Sequence, residues 1–558
     1  METSSSLSSS LSSSAAIGRR PLLKGLGLMG AVVGVTGLSA CSSSDAAASG
    51  ETSPAGTSAP PSAAASPSPS TAAAGSGEIT AAGVQRALAA LPAIIAKNMK
   101  KTGVPGLAIA VVYDGKVRYL EGFGTRQVGK AGAVTADTVF ALASVSKPIS
   151  STVVAATLSK KLSKAGWDDP VASFLPGFTL SDPWVGEHVT VADLFSHRSG
   201  LPDHAGDLLE DLGYTGEQVI AKLAQFPLRR FRDNYEYTNY GLTAAAEAVA
   251  ASTGRSWPAL AKQVLFDPLG MKSSSFTFTD LQKGPNWAAL HRKEKGAWTP
   301  VLSGNYDGQA PAGGGISSVR DLATWLTMML AQGTPVTDAE QLQRIWLPHQ
   351  LKPGLPKIGD PASFYGYGWN VNYEPTGELR VSHSGGFGRG AATAITAYPS
   401  QKLAIAVLSN SSPLGMPEAI TVEFTDIVRY GKSQEDDWLS IIGPFVAEKV
   451  TEDQKKYSKP MTKPAPARPL TAYAGTYLNR LYGPMTVSVS QGGLKFTVGP
   501  AGESFRLHHY SGDEFFFQTT GEGDSGLSGA TFAVSSGRIG SLTVNAWNAQ
   551  QLGTFARR

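Results

Sequence analysis

A single cysteine, Cys41, occurs among the 558 residues. One cysteine cannot form a disulfide within the chain, and it excludes a zinc site built on several cysteines. The sequence also lacks a large charge of either sign, since 48 Lys and Arg stand against 44 Asp and Glu, a net charge of +4. So small an excess gives no reason to expect a nucleic-acid partner.

Two common hydrolase motifs are absent from the sequence. There is no Gly-x-Ser-x-Gly, the pattern that carries the nucleophile of α/β-hydrolases. There is no His-Glu-x-x-His, the ligand pair of many zinc peptidases. Eight histidines leave a histidine and carboxylate site possible by count alone, but no spacing supports one. We therefore expect no metal and no cofactor.

The composition is that of a folded chain with more than one domain. Hydrophobic residues make up 42% and charged residues 16%, which is enough apolar material for full hydrophobic cores. At about 100–200 residues per domain, 558 residues predict two or more domains.

The first forty residues have the layout of an export signal. Residues 18–24 (Gly-Arg-Arg-Pro-Leu-Leu-Lys) resemble a twin-arginine export motif, and a small, uncharged, apolar run follows at 25–40. That run is short for a transmembrane helix, which needs about 20 residues, but it suits the core of a signal peptide. It ends in Leu38-Ser39-Ala40-Cys41, which resembles a lipobox. We expect cleavage of residues 1–40 and lipidation of Cys41, which would anchor an exported, extracytoplasmic protein to the membrane.

Changes in composition divide the rest of the chain. Residues 41–78 are mostly Ser, Ala, Pro, Gly and Thr, which predicts a disordered linker. Residues 79–432 read as one folded domain. Charge clusters and the prolines 460, 464 and 466 predict a second linker at 433–469. Period-two alternation and glycine-punctuated short runs at 470–558 predict a small β-barrel or sandwich.

Within 79–432 the pattern predicts an α+β fold. Helices are expected at both ends and in the middle, and an Asp114-Gly115 hairpin joins two extended runs near the start. Further strands are expected near the end of the domain. This order favours an antiparallel sheet flanked by helices, with an α-helical insertion. The expected helices are 82–101, 150–162, 241–253, 320–331 and 416–430, and the later strands are 378–381, 391–398 and 403–408.

Ser144-Val145-Ser146-Lys147 is the first candidate for chemistry, and it is the one Ser-x-x-Lys in the chain. A helix is expected after it, so backbone N–H groups and the helix dipole would favour negative charge at Ser144. Lys147 would lie on the same helix face, and a buried lysine with a lowered pKa can take a hydroxyl proton. The structural alternative is a helix-capping serine beside a solvated lysine.

Two further motifs follow along the chain. Tyr237-Thr238-Asn239 precedes a helix; a tyrosine of lowered pKa can act as a general base, and an asparagine can orient a lysine and a substrate amide. His383-Ser384-Gly385-Gly386 opens a strand-rich stretch, where small residues would let substrate lie along the strand edge. A backbone N–H of that strand can complete an oxyanion hole. The structural alternative for 237–239 is an aromatic loop packed on the core. For 383–386 it is a turn with a surface histidine.

In this order, the three motifs resemble those of the penicillin-recognising serine hydrolases: Ser-x-x-Lys, Tyr-x-Asn, then Lys or His followed by Ser or Thr and Gly. That group includes class C β-lactamases, DD-peptidases, D-aminopeptidases and β-lactamase-like esterases. The resemblance covers about residues 81–430 and implies a β-lactamase/transpeptidase-like fold. Other segments that look like the family are 189–202, 266–271, 312–318 and 365–369.

The resemblance implies a role for each residue. Ser144 attacks a carbonyl carbon and forms an acyl-enzyme, and Lys147 and Tyr237 share the proton transfers, with the identity of the base left open. Asn239 holds Lys147 and the substrate. His383 supplies a donor or a positive charge. The N–H groups of Ser144 and Gly386 form the oxyanion hole, while Ser384 and Gly385 line the substrate.

The substrate class stays open between an ester, a D-amino-acid peptide from cell wall and a β-lactam. His383 stands where typical class C β-lactamases have a lysine, which favours an esterase or D-peptidase over an efficient β-lactamase. Residues 470–558 resemble, more loosely, the lipocalin-like β domain that follows the hydrolase in some family members. The alternative function is a non-catalytic extracytoplasmic binding or sensor protein on the same fold. The sequence does not indicate the oligomeric state.

Overall fold

The computed structural model describes residues 77–353, 362–447 and 450–558. The predicted signal at 1–40, the lipidation site Cys41 and nearly all of the 41–78 linker lie outside the described residues. None of the helices in these ranges has both the length and the apolar character needed to cross a bilayer.

The helices lie mainly in the first two described ranges. Thr80 begins α1 by accepting a hydrogen bond of 3.1 Å from the Gly83 N–H, and Gly103 ends it in the left-handed conformation. In chain order the helices are α1 (Ala81–Thr102), α2 (Ser146–Ser159), α3 (Pro183–His188), α4 (Val191–Phe195), α5 (Asp207–Asp211), α6 (Gly216–Lys222), α7 (Asn239–Ser252), α8 (Trp257–Ala261), α9 (Asp267–Leu269), α10 (Val319–Leu330), α11 (Ala339–Trp346), α12 (Met416–Tyr430), α13 (Trp438–Val446) and α14 (Glu452–Tyr457).

The strands form one large sheet, two short pairs and a barrel. The first twelve are β1 (Gly106–Tyr113), β2 (Lys116–Gly124), β3 (Phe140–Ala141), β4 (Leu290–Glu294), β5 (Ala297–Val301), β6 (Ile316–Ser317), β7 (Gln350–Leu351), β8 (Phe364–Tyr365), β9 (Asn370–Tyr373), β10 (Leu379–Phe387), β11 (Ala391–Tyr398) and β12 (Leu403–Ser409). The remaining eight are β13 (Gly475–Asn479), β14 (Gly483–Ser490), β15 (Gly493–Val498), β16 (Glu503–Ser511), β17 (Glu514–Gln518), β18 (Leu527–Ser535), β19 (Arg538–Val544) and β20 (Thr554–Arg557).

The large sheet is antiparallel, with strand order β2-β1-β12-β11-β10-β9-β8-β7. Its central strands are buried on both faces because alternate side chains pack on helices from opposite sides. Ile109 and Val111 of β1 point toward α1 and α12, whereas Ala108 and Ala110 point toward the core that contains α2 and α10. Between β2 and β10 the chain is mainly helical, as the predicted insertion requires. The α+β fold expected from the sequence is therefore confirmed.

The segment at 433–469, expected to be a linker, contains two helices. Trp438, Leu439 and Ile442 of α13 are buried against α1 and α12. The indole N–H of Trp438 also donates a 2.8 Å hydrogen bond to the Asp426 carboxylate. The segment folds because its apolar residues recur at helical spacing between the charge clusters that suggested a linker.

The C-terminal region is a closed barrel of eight antiparallel strands, in which β13 pairs with both β14 and β20. Closure leaves no free edge strand. Aromatic rings fill its interior: Phe496 lies 5.0 Å from both Phe505 and Phe517 between ring centroids, and Trp547 packs beside them. The predicted small all-β domain is thus a packed barrel.

Candidate active site

Ser144 lies in a tight 3₁₀ turn, Ala143–Val145, directly before α2. Ala143 has φ of 48°, a left-handed conformation that costs a non-glycine residue energy and so needs support from its surroundings. Leu142 supplies that support: its N–H donates to the Gly315 carbonyl at 2.9 Å, and its carbonyl accepts from the Thr393 hydroxyl at 2.7 Å. The turn is thereby fixed between β11 and the segment of residues 310–315, with Ser144 partly exposed.

Lys147 is fully buried, one residue into α2. Its Nζ lies 3.1 Å from Ser144 Oγ, 2.6 Å from Asn239 Oδ1 and 2.9 Å from the Ala312 carbonyl oxygen. Burial lowers the pKa of Lys147 to about 7, and the negative charge of Asp207 opposes part of that shift.

Tyr237 and Asn239 approach the serine from the start of α7. Tyr237 Oη donates to Ser144 Oγ at 2.8 Å. The Tyr237 ring lies under Lys147, with Nζ 4.5 Å from the ring centroid. Burial raises the pKa of Tyr237, only partly offset by the hydrogen bond to Ser144, so its hydroxyl stays protonated at neutral pH.

The three partners of Lys147 are all oxygens. Those of Asn239 and Ala312 can only accept, so each takes one N–H of the amine. A protonated Lys147 donates its third N–H to Ser144 Oγ, whereas in the neutral amine a lone pair can face the serine hydroxyl. Ser144 Oγ also accepts from Tyr237, so the serine lies between a group that can take its proton when neutral and a proton donor.

Two residues that the sequence motifs missed extend this network. Asp207, the first residue of α5, accepts a 2.8 Å hydrogen bond from Asn239 Nδ2. The His204 ring pairs with the same carboxylate at 2.7 Å. The pKa of His204 is raised, because the charges of Asp207 and Asp203 outweigh the opposing effect of its burial. The sequence offers one indication of these residues, because three polar side chains lie close together in Asp203-His204-Ala205-Gly206-Asp207. That segment matches none of the motifs used above.

The third motif lies on β10, directly against the serine turn. Neighbouring β9 pairs with β10 only as far as Ser382, so within the described ranges no strand pairs with residues 383–387 on that side. A Cβ on Gly385 would lie 2.8 Å from Ser144 N and 2.5 Å from the Leu142 oxygen, so no side chain fits there. Gly386 follows it along the strand that faces the serine. The side chain of Ser384 hydrogen-bonds to Glu418, at the start of α12.

His383 is buried, and both its ring nitrogens have partners. Nε2 lies 2.9 Å from Tyr365 Oη, and Nδ1 lies 2.6 Å from the Ser384 carbonyl oxygen. Since a carbonyl only accepts, Nδ1 carries the proton and Nε2 accepts from the tyrosine. Burial, together with the charge of Lys147, places the pKa of His383 well below its usual value. The ring is therefore neutral here, and the positive charge suggested for it is disfavoured.

Two family models match the chain. The β-lactamase model matches residues 91–425, which include every motif residue described above. A domain of unknown function, DUF3471, matches residues 459–554, the barrel region.

Two curated relatives are similar to this chain at less than 30% identity. An unguisins hydrolase of Aspergillus campestris is 24% identical over 71% of this chain and 76% of its own length. Penicillin-binding protein 4 of Amycolatopsis lactamdurans is 29% identical over 58% of this chain and 84% of its own length.

Solved structures share the fold. An octameric penicillin-binding protein homologue from Pyrococcus abyssi has a TM-score of 0.54 at 23% identity, covering 82% of this chain and 98% of that one. A class C β-lactamase from Rhodobacter sphaeroides has a TM-score of 0.51 at 20% identity, covering 60% of this chain and 98% of that one. Because the family model spans more than half of the sequence, the chain belongs to the β-lactamase family of penicillin-recognising hydrolases.

Proposed function

We propose that this protein is a serine hydrolase that acts through an acyl-enzyme on Ser144. The observation that carries the proposal is that Ser144 Oγ lies within hydrogen-bonding distance of both Lys147 Nζ, at 3.1 Å, and Tyr237 Oη, at 2.8 Å. A nucleophile in contact with a group able to take its proton is the arrangement that covalent catalysis requires.

The pKa directions favour Lys147 as the proton acceptor. At neutral pH a lysine with a pKa of about 7 is neutral in a large fraction of molecules, whereas Tyr237 keeps its proton. As Ser144 Oγ bonds to the substrate carbonyl carbon, its proton passes to Lys147 Nζ. The Tyr237 hydroxyl then lies next to the serine oxygen, where it can give a proton to the leaving group and recover one from Lys147.

The oxyanion of the tetrahedral intermediate needs donors that are already in place. The N–H groups of Ser144 and Gly386 are proposed for this role, supported by the direct contact of β10 with the serine turn. Breakdown releases the alcohol or amine, and water then attacks the acyl-enzyme with the same groups acting in reverse.

For the substrate, we propose an ester or a D-amino-acid peptide rather than an efficiently hydrolysed β-lactam. The neutral, internally bonded His383 supports this preference, because it offers no positive charge on β10 for a substrate carboxylate. A non-catalytic binding or sensor protein is the alternative. The intact set Ser144, Lys147 and Tyr237 argues against it, since a binder does not need these contacts.

The test is hydrolysis of p-nitrophenyl butyrate by residues 42–558, compared with the Ser144→Ala variant. We expect turnover by the first and none by the second, and a mass increase of the first alone on labelling with a fluorophosphonate. Equal turnover by both would remove Ser144 from the nucleophile's role. Absence of turnover and of labelling in the unaltered protein would favour the binding protein.

We also propose that the mature protein is extracytoplasmic and held on a membrane by a lipid at Cys41. Leu38-Ser39-Ala40-Cys41 supports this location. Expression of the full chain and of Cys41→Ser, followed by membrane fractionation, tests it. The unaltered protein should sediment with membranes and the variant should be released, whereas equal release would contradict lipid anchoring.

A further inference from the structure

One loop of the C-terminal barrel contacts the hydrolase region at the turn after β10 and at α5. This barrel loop comprises residues 519–526, between β17 and β18. The barrel also has other contacts with the hydrolase: the Tyr214 hydroxyl donates to the Tyr482 carbonyl at 3.0 Å, and Ala501 N donates to the Leu212 carbonyl at 3.1 Å. Docking of the barrel therefore does not depend on the barrel loop alone.

Glu522 of the barrel loop binds the turn that follows β10. One carboxylate oxygen accepts from the Gly388 N–H at 2.6 Å. The other accepts from the Tyr306 hydroxyl at 2.9 Å and, more weakly, from the Arg389 N–H at 3.4 Å. Gly388 is two residues beyond Gly386, the proposed oxyanion donor. The Glu522 carboxylate thus holds the end of β10, the strand that lies against the serine turn. We call the space at Ser144 the cleft, with β10 as one wall and α5 with the Asn239–Lys147 network as the other.

The backbone of the same loop binds the opposite wall. The carboxylate of Asp211 accepts from the N–H groups of Glu522 and Gly523, each at 2.8 Å. Asp211 ends α5, the short helix that begins with Asp207. Asp207 in turn holds Asn239, the partner of Lys147. The barrel loop is therefore connected to the lysine side of the cleft as well as to the β10 side.

Removal from water makes the charged forms of Glu522 and Asp211 energetically costly. It raises the pKa of Glu522 to about 8, with the charge of Asp211 adding to that shift, and it also raises the pKa of Asp211. A carboxylate with little access to water is tolerated only when donors satisfy it, and for the partly buried Glu522 and Asp211 backbone N–H groups do so on both walls. The other titratable or charged groups that act on this pair are Tyr306, Asp207 and Arg389.

We infer that the barrel loop links the two walls of the cleft through its hydrogen bonds, a link that we call the tie. We also infer that Glu522 is a positioning residue for the reaction at Ser144. It acts through the Gly388 amide on the β10 strand that carries Gly386. This inference rests on the proposed serine hydrolase function. A displacement of about 1 Å in a reacting group can cost about 100-fold in rate, so a tie at this place would affect turnover more than substrate binding.

The test compares Glu522→Gln and Glu522→Ala with the unaltered protein, and uses Glu514→Gln as a matched control. Glu514 is also a barrel carboxylate that accepts from a tyrosine hydroxyl, Tyr457 at 2.6 Å, but its partner is on α14 and not at the cleft. With p-nitrophenyl butyrate, kcat should fall about 10- to 100-fold in Glu522→Ala and less in Glu522→Gln, with KM changed less than threefold. Glu514→Gln should match the unaltered protein. Equal kinetic constants in all four proteins would overturn the positioning role.

Hydrogen exchange of peptides spanning residues 385–391 separates failure of this inference from failure of the proposed function. The Gly388 amide should exchange at least tenfold faster in Glu522→Ala, and also in Asp211→Ala, which removes both acceptors that hold the barrel loop to α5. Protection unchanged in both variants would overturn the tie even in an active enzyme. Faster exchange in a protein that hydrolyses nothing would preserve the tie and refute the hydrolase proposal.

Discussion

The carboxylate of Asp207 accepts a 2.8 Å hydrogen bond from the side-chain amide of Asn239, and the oxygen of that amide accepts from Lys147. One amide therefore stands between the partly buried carboxylate of Asp207 and the proposed proton acceptor. This geometry orients Asn239, since its nitrogen must face Asp207 and its oxygen must face the lysine. It also places a negative charge where it stabilises the protonated form of Lys147.

Replacing Asp207 by Asn should change the pH dependence of hydrolysis. The charge of Asp207 raises the pKa of Lys147, so its loss lowers that pKa further below about 7. The lysine then stays neutral to a lower pH, and the acid limb of kcat/KM should move down by about one pH unit. The measurement is kcat/KM for p-nitrophenyl butyrate from pH 5 to 9.

Asp203→Asn is the control for that shift. Asp203 lies in the same segment and accepts from the Tyr237 N–H at 2.9 Å, but it is not among the charges that move the pKa of Lys147. Its loss can lower the rate, yet the acid limb should stay in place. If both variants moved the limb equally, Asp207 would have no special influence on the lysine.

Tyr237→Phe should reduce kcat/KM by about 10²–10⁴, the usual contribution of a positioned proton donor or acceptor. The ring under Lys147 is retained, so the thermal midpoint should change little. Tyr235→Phe provides a matched comparison. The buried Tyr235 hydroxyl has no hydrogen-bond partner among the described residues, so its removal should leave activity intact and stabilise the fold slightly. Similar activity losses in both variants would contradict the role given to Tyr237.

Gly385→Ala should separate β10 from the serine turn. The added methyl group would lie 2.4 Å from Thr393 Oγ1 and 2.5 Å from the Leu142 oxygen, which forces the strand away. Overpacking of this kind costs about 1–3 kcal/mol, and the displacement should cost about 100-fold in kcat/KM. Gly284→Ala is the control, because a methyl group there meets no atom within 4 Å. Full activity in Gly385→Ala would show that the close approach is not needed.

Glu247→Gln should stabilise the protein only at higher pH. Burial raises the pKa of Glu247, on α7, to about 7, so between about pH 4.5 and 7 the folded state holds a proton that the unfolded state releases. Stability from this group is complete below pH 4.5 and is lost as the pH rises through 7. Glutamine does not titrate, so the variant should melt about 2–4 °C higher at pH 8 and show no gain near pH 4. The exposed Glu187→Gln serves as control; an equal gain in both, or a gain independent of pH, would contradict the assignment.

Local pattern predicted much of this structure. The Asp114-Gly115 turn joins β1 and β2, and the helical spacing near residues 82–101 corresponds to α1. Such features depend on neighbours in sequence, which is why they are readable from it. The motif residues were also located by pattern, and the structure brings Ser144, Lys147, Tyr237 and Asn239 into direct contact.

Contacts between distant segments were not predictable in this way. Asp207 gains its place in the site from the approach of α5 to α7, and Glu522 from the docking of the barrel. The neutral state of His383 follows from burial beside Tyr365, which no spacing indicates. Within the segment expected to be a linker, the apolar face of α13 was not recognised because charge clusters lie on both sides of it, and α14 has only one buried residue, Tyr457, to indicate a helix.

The position of β12 in the sheet has a consequence for folding. β1, near the start of the hydrolase region, pairs with β12 at its end, so that Leu107 and Ser409 are neighbours. Pairings of such large sequence separation form slowly, because a long loop must close before the contact is made. During synthesis the serine turn cannot reach its final form until the ribosome has released β10, β11 and β12. The edge of β1 that pairs with β12 therefore stays open for about half of the elongation of the chain, a period in which chaperone binding would protect it from aggregation.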